Sequence, residues 1–300
     1  MGQQQKAYLY ALSAILLWST IGSALKLTLD YISFAELLFY ASATSVLVLL
    51  GALWTGGKLH KLKSLKKHDL IRAAILGLIN PFLYYLVLLK AYDLLLAQEA
   101  GTLNYIWPVV LVLLSIPLLG QHIGWLSILA VLISFAGTVI IGTRGEIFSL
   151  SFSNPLGTGL ALVSAVFWAL YWIYNMKDKK EEVVKLFLNF CFGVFYTLIY
   201  LLITNSFKPL NTPGLLGSVY AGFFEMGITY ILWLKALQLS QTTARVSNLV
   251  FLSPFISLIF IRYAVGEHIM LSTVAGLFLI VGGILLQRFA GSMEKSSPSS

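Results

Sequence analysis

The chain has 300 residues, of which 58% are hydrophobic and only 11% are charged, and its mean hydropathy is +0.86. A soluble domain carries about 25% charged residues, so the composition excludes an ordinary soluble protein and predicts an integral membrane protein. The net charge of +8 could indicate a nucleic-acid partner, but its distribution along the chain argues against one.

Ten apolar stretches have the length of about 20 residues that crosses a bilayer as a helix. Because lipid offers the backbone no hydrogen-bonding partners, we expect every stretch to be helical and the fold class to be all-α integral membrane. The predicted spans, one to ten, are 8–27, 33–55, 70–90, 98–119, 124–143, 155–175, 183–204, 212–236, 243–264 and 270–290. The first span lacks a small-residue cleavage site, so we expect it to remain as a membrane anchor.

Lysine and arginine are concentrated between spans two and three and between spans six and seven. With a cytoplasmic N-terminus, fifteen of these residues lie on the cytoplasmic side and five on the opposite side. This asymmetry follows the positive-inside rule and predicts that both termini are cytoplasmic. The basic loops are also placed to contact anionic lipid head groups, so the charge is explained by the bilayer without nucleic acid.

The spanning pattern occurs twice, in units 6–143 and 155–290, and is followed by a polar tail, 291–300, that we expect to be disordered. The matched pairs include Asn80 and Glu225, Tyr85 and Tyr230, Lys90 and Lys235, Pro108 and Pro254, and Gly137 and Gly283. Five spans is an odd number, so the two units enter the membrane with opposite topology, as in secondary transporters. The matched prolines are predicted to kink spans four and nine and to widen a central cavity.

Glu225 lies in the middle of span eight, where a carboxylate costs about 2.5–3.5 kcal/mol on insertion scales. We therefore expect it to face a cavity, where it could bind an ammonium group or carry a proton. A hydrogen-bonded structural glutamate is the alternative. Its counterpart Asn80 is neutral, so a site between the units would be chemically asymmetric.

Aromatic and amide side chains recur inside the spans, where an interfacial belt does not explain them. Trp168 and Trp172 share one helix face in span six, and Asn104 and Trp107 lie on adjacent turns in span four. With Glu225, the residues predicted to line a substrate cavity are Trp18, Tyr85, Asn104, Tyr105, Trp107, Trp168, Trp172, Tyr230 and Trp233. Such a lining suits flat apolar groups and ammonium groups. Helix packing is the alternative explanation of the same spacing.

Two further sets of residues have structural explanations. Lys90 and Lys235, at the ends of spans three and eight, either extend to the head groups or attract a carboxylate near the mouths of the cavity. The glycines at 22, 276, 282 and 283 are predicted to allow close contacts between helices.

Catalytic and metal-binding patterns are missing from the sequence. The single cysteine, Cys191, excludes an internal disulfide and a cysteine cluster for zinc. His122 and His268 fall in matched loops on opposite sides of the membrane and cannot meet. The sequence contains no zinc-protease HExxH, P-loop or nucleotide-binding glycine motif. We therefore predict no enzyme activity, cofactor or metal.

Several of these motifs resemble those of a known family. Ala-Ile-Leu-Leu-Trp-Ser-Thr at 14–20, Leu-Lys-Ala at 234–236, Gly-Glu-His at 266–268, Pro254 and the glycine pair at 282–283 are similar to the drug/metabolite transporter superfamily with paired EamA domains. The segment from Glu99 to Pro108, with Gly120-Gln121 and Trp125, resembles the subgroup of YddG-type aromatic amino-acid exporters. Gln121 replaces a glutamate common in the superfamily, and Glu225 does not match a known acidic position of the subgroup.

The resemblance implies ten helices, as two inverted EamA repeats, around a central cavity in a bacterial inner membrane. It also implies export of amino acids, related metabolites or toxic cations. By matching position it places Trp18, Asn104, Tyr105, Trp107, Trp168, Tyr230 and Trp233 in the cavity. The predicted function is alternating-access export of aromatic or large neutral amino acids, with protons as a candidate coupling ion. The alternatives are efflux of organic cations or another metabolite and, more remotely, a membrane-embedded enzyme.

Overall fold

The computed structural model describes residues 2–119, 125–148, 152–176, 178, 180–207, 209, 211–240 and 248–296. Over these residues the structure is helical, with no strand. The α-helices are α1 Gln3–Leu29, α2 Phe34–Thr55, α3 Lys67–Gly77, α4 Tyr84–Leu94, α5 Ala97–Asn104, α6 Trp107–Leu119, α7 Trp125–Gly142, α8 Pro155–Met176, α9 Glu182–Ile203, α10 Thr212–Phe224, α11 Ile228–Leu239, α12 Ser253–Phe260 and α13 Leu271–Ser296. Short 3-10 helices lie at Leu59–Ser64 and Asn248–Leu252, and π-helices at Leu78–Leu83 and Ile261–Val265.

Each predicted span overlaps described helical segments, while residue 124 of the fifth span and residues 243–247 of the ninth lie outside the described residues. Within the described part of the chain, six helical stretches are long and apolar enough to cross a membrane, namely Gln3–Leu29, Phe34–Thr55, Lys67–Leu94, Pro155–Asn175, Glu182–Ile203 and Thr212–Trp233. Shorter apolar helices lie at Ile128–Gly142, Leu249–Val265 and Leu271–Leu286. The protein is therefore an all-helical, multi-pass integral membrane protein. Helix α13 extends into the tail that was expected to be disordered, and residues 297–300 lie outside the described residues.

Several of the predicted spans consist of two helical segments with an interruption between them. In the third span, Asn80 has extended φ and ψ angles of −146° and 121° because Pro81 disfavours helical geometry in the residue before it. In the eighth span, α10 ends at Phe224 and α11 begins at Ile228, with a turn at 225–227 between them. Asn80 and Glu225 are a matched pair, so both units are interrupted at the same place.

Hydroxyl groups satisfy backbone carbonyls that the turn at 225–227 frees from helical bonding. Thr229 donates to the carbonyl of Phe224, and Ser45 of α2 donates to the carbonyl of Met226 at 2.8 Å. Such compensation is necessary because an unsatisfied carbonyl in the bilayer core would cost several kcal/mol. The interruption is therefore part of the packed structure.

The kinks predicted at the matched prolines take a different form. Pro108 is the second residue of α6, after a turn at Tyr105 and Ile106, and Pro254 is the second residue of α12, after a 3-10 helix. Proline suits the first turn of a helix, where its missing N–H would have no helical partner. Both prolines thus begin a new helix and do not bend a continuous one.

The two units are interleaved. Helix α1 of the first unit packs on α10, α11 and α12 of the second, and α2 packs on α9 and α10. Helix α8 packs in turn against α4, α5 and α6. Residues of both units therefore surround the region between these helices. In membrane proteins built from two inverted repeats, a binding site typically lies in such a region.

Helices α7 and α13 are in close backbone contact at glycine. A Cβ atom at Gly137 would lie 2.6 Å from the carbonyl oxygen of Gly276, and one at Gly283 would lie 2.7 Å from that of Ala130. The predicted close contacts are confirmed at 276 and 283, and at Gly22, where a Cβ would lie 3.2 Å from the hydroxyl of Tyr92. The prediction was wrong for the glycine at 282, which faces open space.

We expect Gly283→Val to destabilise the fold by about 1–3 kcal/mol, because the added side chain overlaps the backbone of α7. Gly282→Val is the matched control, since a Cβ there meets no atom within 4 Å. The measurement is the temperature at which purified protein loses its monodisperse elution peak in detergent. Equal melting temperatures for the two variants would contradict the close contact.

Candidate functional site

A central cavity of about 360 Å³ lies between helices α1, α4, α5, α8, α11 and α12. Its volume falls within the range of small-molecule sites. Of the predicted site residues, the structure brings to its wall Trp18, Asn104, Tyr105, Trp107, Trp168, Trp172, Glu225, Tyr230 and Trp233, and Pro254 joins them. Pro108 is not part of the lining.

Tyr85 is the exception among the predicted cavity residues. It is fully buried behind the wall, and its hydroxyl donates to Oε1 of Glu225 at 3.0 Å. Its neighbour Tyr84 lines the cavity instead, with the two rings edge to face at 4.6 Å. Sequence matching had paired Tyr85 with Tyr230 of the cavity wall, but it could not tell which of two adjacent tyrosines faces inward.

Glu225 stands at the helix interruption, directly after α10, so its carboxylate reaches the cavity from the middle of the bundle. Among the described lining residues it is the only carboxylate, and none of them is lysine, arginine or histidine. The described cavity therefore presents one acidic group without a cationic partner. This arrangement can attract an ammonium group or take up a proton.

Trp168 of α8 is the centre of an aromatic cluster at the cavity. Its ring lies 4.7 Å from Tyr84, 5.8 Å from Trp172 and 6.4 Å from Tyr230, measured between centroids. Across the cavity, Trp18 lies 6.2 Å from Tyr230. Aromatic rings that contact one another are held in fixed orientations, so they offer a ligand preformed faces.

The amide of Asn104 is held by two neighbours. Its Oδ1 accepts a hydrogen bond from Tyr84 at 3.4 Å, and its Nδ2 donates to Ser164 at 2.8 Å. Each amide atom retains one further bonding position. Tyr105, the next residue, donates to the carbonyl of Val250 at 2.7 Å and so joins the interrupted fourth and ninth spans.

Sequence reasoning missed several polar residues of the lining. Ser253 and Ser257 lie four residues apart on the cavity face of α12, next to Pro254, and Gln98 lies in the first turn of α5. The serine spacing is a helical signal that could have been found. Gln98 had no such signal, because only the tertiary structure places the first turn of α5 at the cavity.

The Gly-Glu-His motif has a structural role beside the cavity. Glu267 accepts hydrogen bonds from the backbone of Ala97 at 2.7 Å and from Gln98, so it caps the N-terminus of α5 from the other unit. The backbone of Met270 donates to the side chain of Gln98 at 2.9 Å. The motif thus fixes the helix that carries Asn104 into the wall.

An ion pair also lies at the end of the bundle where Glu267 caps α5. Arg144 donates to both oxygens of the buried Glu99, at 2.6 and 3.3 Å. The hydrogen-bonded carboxylate raises the pKa of the Arg144 guanidinium. The Arg144 guanidinium therefore stays protonated at physiological pH, and its hydrogen bonds to Glu99 anchor the start of α5.

The described residues contain no group of three or more His, Cys, Asp or Glu side chains that could hold a metal ion. Cys191 lies alone in α9. Gln121 and His122, singled out in the sequence, lie outside the described residues.

These observations define a class: a multi-pass helical membrane protein with a substrate-sized cavity between two matched units. The model of the EamA-like transporter family matches residues 5–143 and 155–289. The chain belongs to this family, within the drug/metabolite transporter superfamily. Family members are transporters, and membership implies a small-molecule substrate.

Named relatives agree with the family. An uncharacterized transporter of Clostridium kluyveri is 29% identical over 76% of this chain and 75% of its own length. The aromatic amino acid exporter YddG of Escherichia coli is 24% identical over 94% of this chain and 97% of its own length. A solved crystal structure matches with a TM-score of 0.65 at 23% identity, covering 97% of this chain and 99% of that one, and supports the fold.

The hydrogen bond from Tyr85 to Glu225 can be measured with a double-mutant cycle. We expect Tyr85→Phe and Glu225→Leu to be coupled by about 1–2 kcal/mol, because each variant alone removes the same bond, the first its donor and the second its acceptor. The readout is the free energy of unfolding in mixed micelles of lipid and SDS. Tyr105→Phe is the control, since its hydroxyl bonds to a carbonyl of the ninth span. Its cycle with Glu225→Leu should be additive within about 0.5 kcal/mol.

Proposed function

We propose that the protein exports aromatic or large neutral amino acids from the bacterial cytoplasm across the inner membrane, with both termini in the cytoplasm. The observation that carries the proposal is a single carboxylate, Glu225, within an aromatic-lined cavity between the two repeats. An aromatic amino acid carries a flat apolar group and an ammonium group, which match these two features. Two relatives named aromatic amino acid exporter YddG support the same substrate class.

The mechanism we propose is alternating access. The repeats 6–143 and 155–290 rock against each other around the cavity, which opens to one side of the membrane at a time. The matched interruptions at Asn80 and Glu225 support this mechanism, since discontinuous helices let parts of a span move separately.

The substrate contacts follow from the chemistry of the lining. The ring faces around Trp168 hold the substrate's side chain, and Glu225 holds its ammonium group or a coupling proton. Asn104 adds a hydrogen bond through the positions that Tyr84 and Ser164 leave open. The energy of binding comes mainly from the aromatic contacts, while Glu225 selects for charge.

A second candidate function is efflux of aromatic amines or other organic cations. It is favoured by the charge of the described lining, which has a carboxylate but no cationic residue to neutralise a substrate carboxylate. A cation would need only Glu225 and the rings. Amino acids and quaternary ammonium compounds should therefore be compared directly in the same transport assay.

Replacement of Trp168 tests the aromatic contacts. We expect Trp168→Ala to raise the substrate concentration for half-maximal transport by about tenfold, because the central ring of the cluster is lost. Trp54→Ala is the matched control, because Trp54 is 73% exposed on α2 and lies outside the cavity. Unchanged transport by Trp168→Ala at normal expression would contradict a role in the cavity.

Counterflow in reconstituted proteoliposomes tests the substrate and Glu225 together. We expect a labelled panel to show exchange of a few aromatic or large neutral amino acids by the wild type. Glu225→Gln should retain exchange and lose accumulation driven by a proton gradient if the carboxylate carries the proton. Exchange of quaternary ammonium compounds but of no amino acid would refute amino-acid export and favour the second candidate.

A further inference from the structure

A second cavity, of about 310 Å³, lies near the end of the bundle that carries the basic loops. It is formed where α2 ends, where α9 begins and along α11. Its charged lining residues are Lys58, Glu181, Glu182 and Lys235. In the topology proposed above, this cavity lies on the cytoplasmic side, from which an exporter must take its substrate.

Helix α11 separates this cavity from the central one. Tyr230 and Trp233 on one face of α11 line the central cavity, and Ile231 and Lys235 line the second cavity. With 3.6 residues per turn, the directions of these two pairs differ by about 150° around the helix axis. Helix α11 begins directly after the interruption at Glu225, so it is the shared wall of the two cavities and is not continuous with α10.

The charges around the second cavity are partly compensated. Lys58 forms an ion pair with Glu181 at 2.5 Å, and Glu182 forms one through Oε1 with Lys185 at 2.8 Å. The ammonium of Lys235 lies 5.8 Å from the centroid of the Tyr10 ring and forms no ion pair within the described part of the chain. The two lysines and two glutamates of the lining balance, and Lys235 is the lining lysine that has no ion pair among the described residues.

The two cavities differ in the charged groups that they offer a ligand. Among its described lining residues the central cavity has one carboxylate, Glu225, and no cation. The second cavity has Lys235, which forms no ion pair among the described residues, and the partly exposed carboxylate of Glu182. A free amino acid carries both a carboxylate and an ammonium group. The second cavity thus contains the cationic group that recognition of the substrate carboxylate requires.

We propose that the second cavity is an entry site for zwitterionic amino acids, in which Lys235 binds the carboxylate and Glu182 receives the ammonium group. The proposal rests on the proposed function as an amino-acid exporter. The substrate then passes to the central cavity when α11 moves at the interruption next to Glu225. Lys235 is in this view a specificity-determining residue that distinguishes an amino acid from the corresponding amine.

The repeat supplies a matched control. Lys90 occupies the position in the first unit that Lys235 occupies in the second. Lys90 is paired with Asp93 at 2.6 Å and lines neither cavity. Replacement of either lysine changes the net charge equally, but only one replacement alters the second cavity.

The first experiment measures uptake of phenylalanine and of phenethylamine, which lacks the carboxylate, into inverted membrane vesicles that expose the cytoplasmic face. We expect Lys235→Gln to raise the half-saturating concentration of phenylalanine about three- to fivefold and to leave that of phenethylamine unchanged. Lys235→Arg should behave as the wild type, and so should Lys90→Gln. No change in Lys235→Gln, or equal changes for both compounds, would refute the entry site while the proposed function stands. A wild type that moves neither compound refutes the proposed function.

The second experiment measures occupancy directly and is independent of transport. Thr55 lines the second cavity, so Thr55→Cys in a Cys191→Ser background can be labelled with a maleimide in vesicles of phosphatidylcholine. We expect phenylalanine to slow labelling, and Lys235→Gln to shift this protection to higher concentrations. Absence of protection at saturating phenylalanine would overturn the proposal. Protection by phosphatidylethanolamine alone would assign the cavity to a zwitterionic lipid head group and would also overturn it.

Discussion

The absence of hydrogen-bonding partners in lipid is the constraint on which this structure depends. It forces each span to satisfy its own backbone, and it allows a helix to stop in the bilayer only where protein groups or a cavity replace the lost bonds. The interruption at 225–227 meets this condition through hydroxyls of Thr229 and Ser45. Because Asn80 marks the matched interruption in the other unit, the irregular backbone is concentrated around the centre of the bundle.

The distribution of charge follows from the same constraint. Ion pairs such as Glu99–Arg144 and Lys58–Glu181 lie at the ends of the bundle, where water or head groups can solvate the exposed partner. Inside the bundle, Glu225 is held by the hydroxyl of Tyr85 and faces a cavity. A charge at the centre of the bilayer is costly, and the hydroxyl of Tyr85 and the adjoining cavity both reduce that cost for Glu225.

The interleaving of the two units explains why the site is composite. Because α1 packs on helices of the second unit and α8 on helices of the first, both units contribute residues to the lining of the cavity. Glu267 of the second unit caps α5 of the first and so positions Asn104. A movement of one unit against the other therefore alters the cavity directly, and no separate hinge domain is needed.

The sequence alone predicted the spans, the repeat and most of the aromatic residues that line the cavity, because long apolar segments and matched positions are local signals. It also predicted Glu225 as the central acidic group. Only the tertiary structure decided that Tyr84 and not Tyr85 faces the cavity, and that α11 divides two cavities. The physical reason is that lipid-facing and protein-facing surfaces are both apolar in a membrane helix, so hydrophobic periodicity does not mark the inward face. Which face points inward is settled by packing against helices that are distant in the sequence.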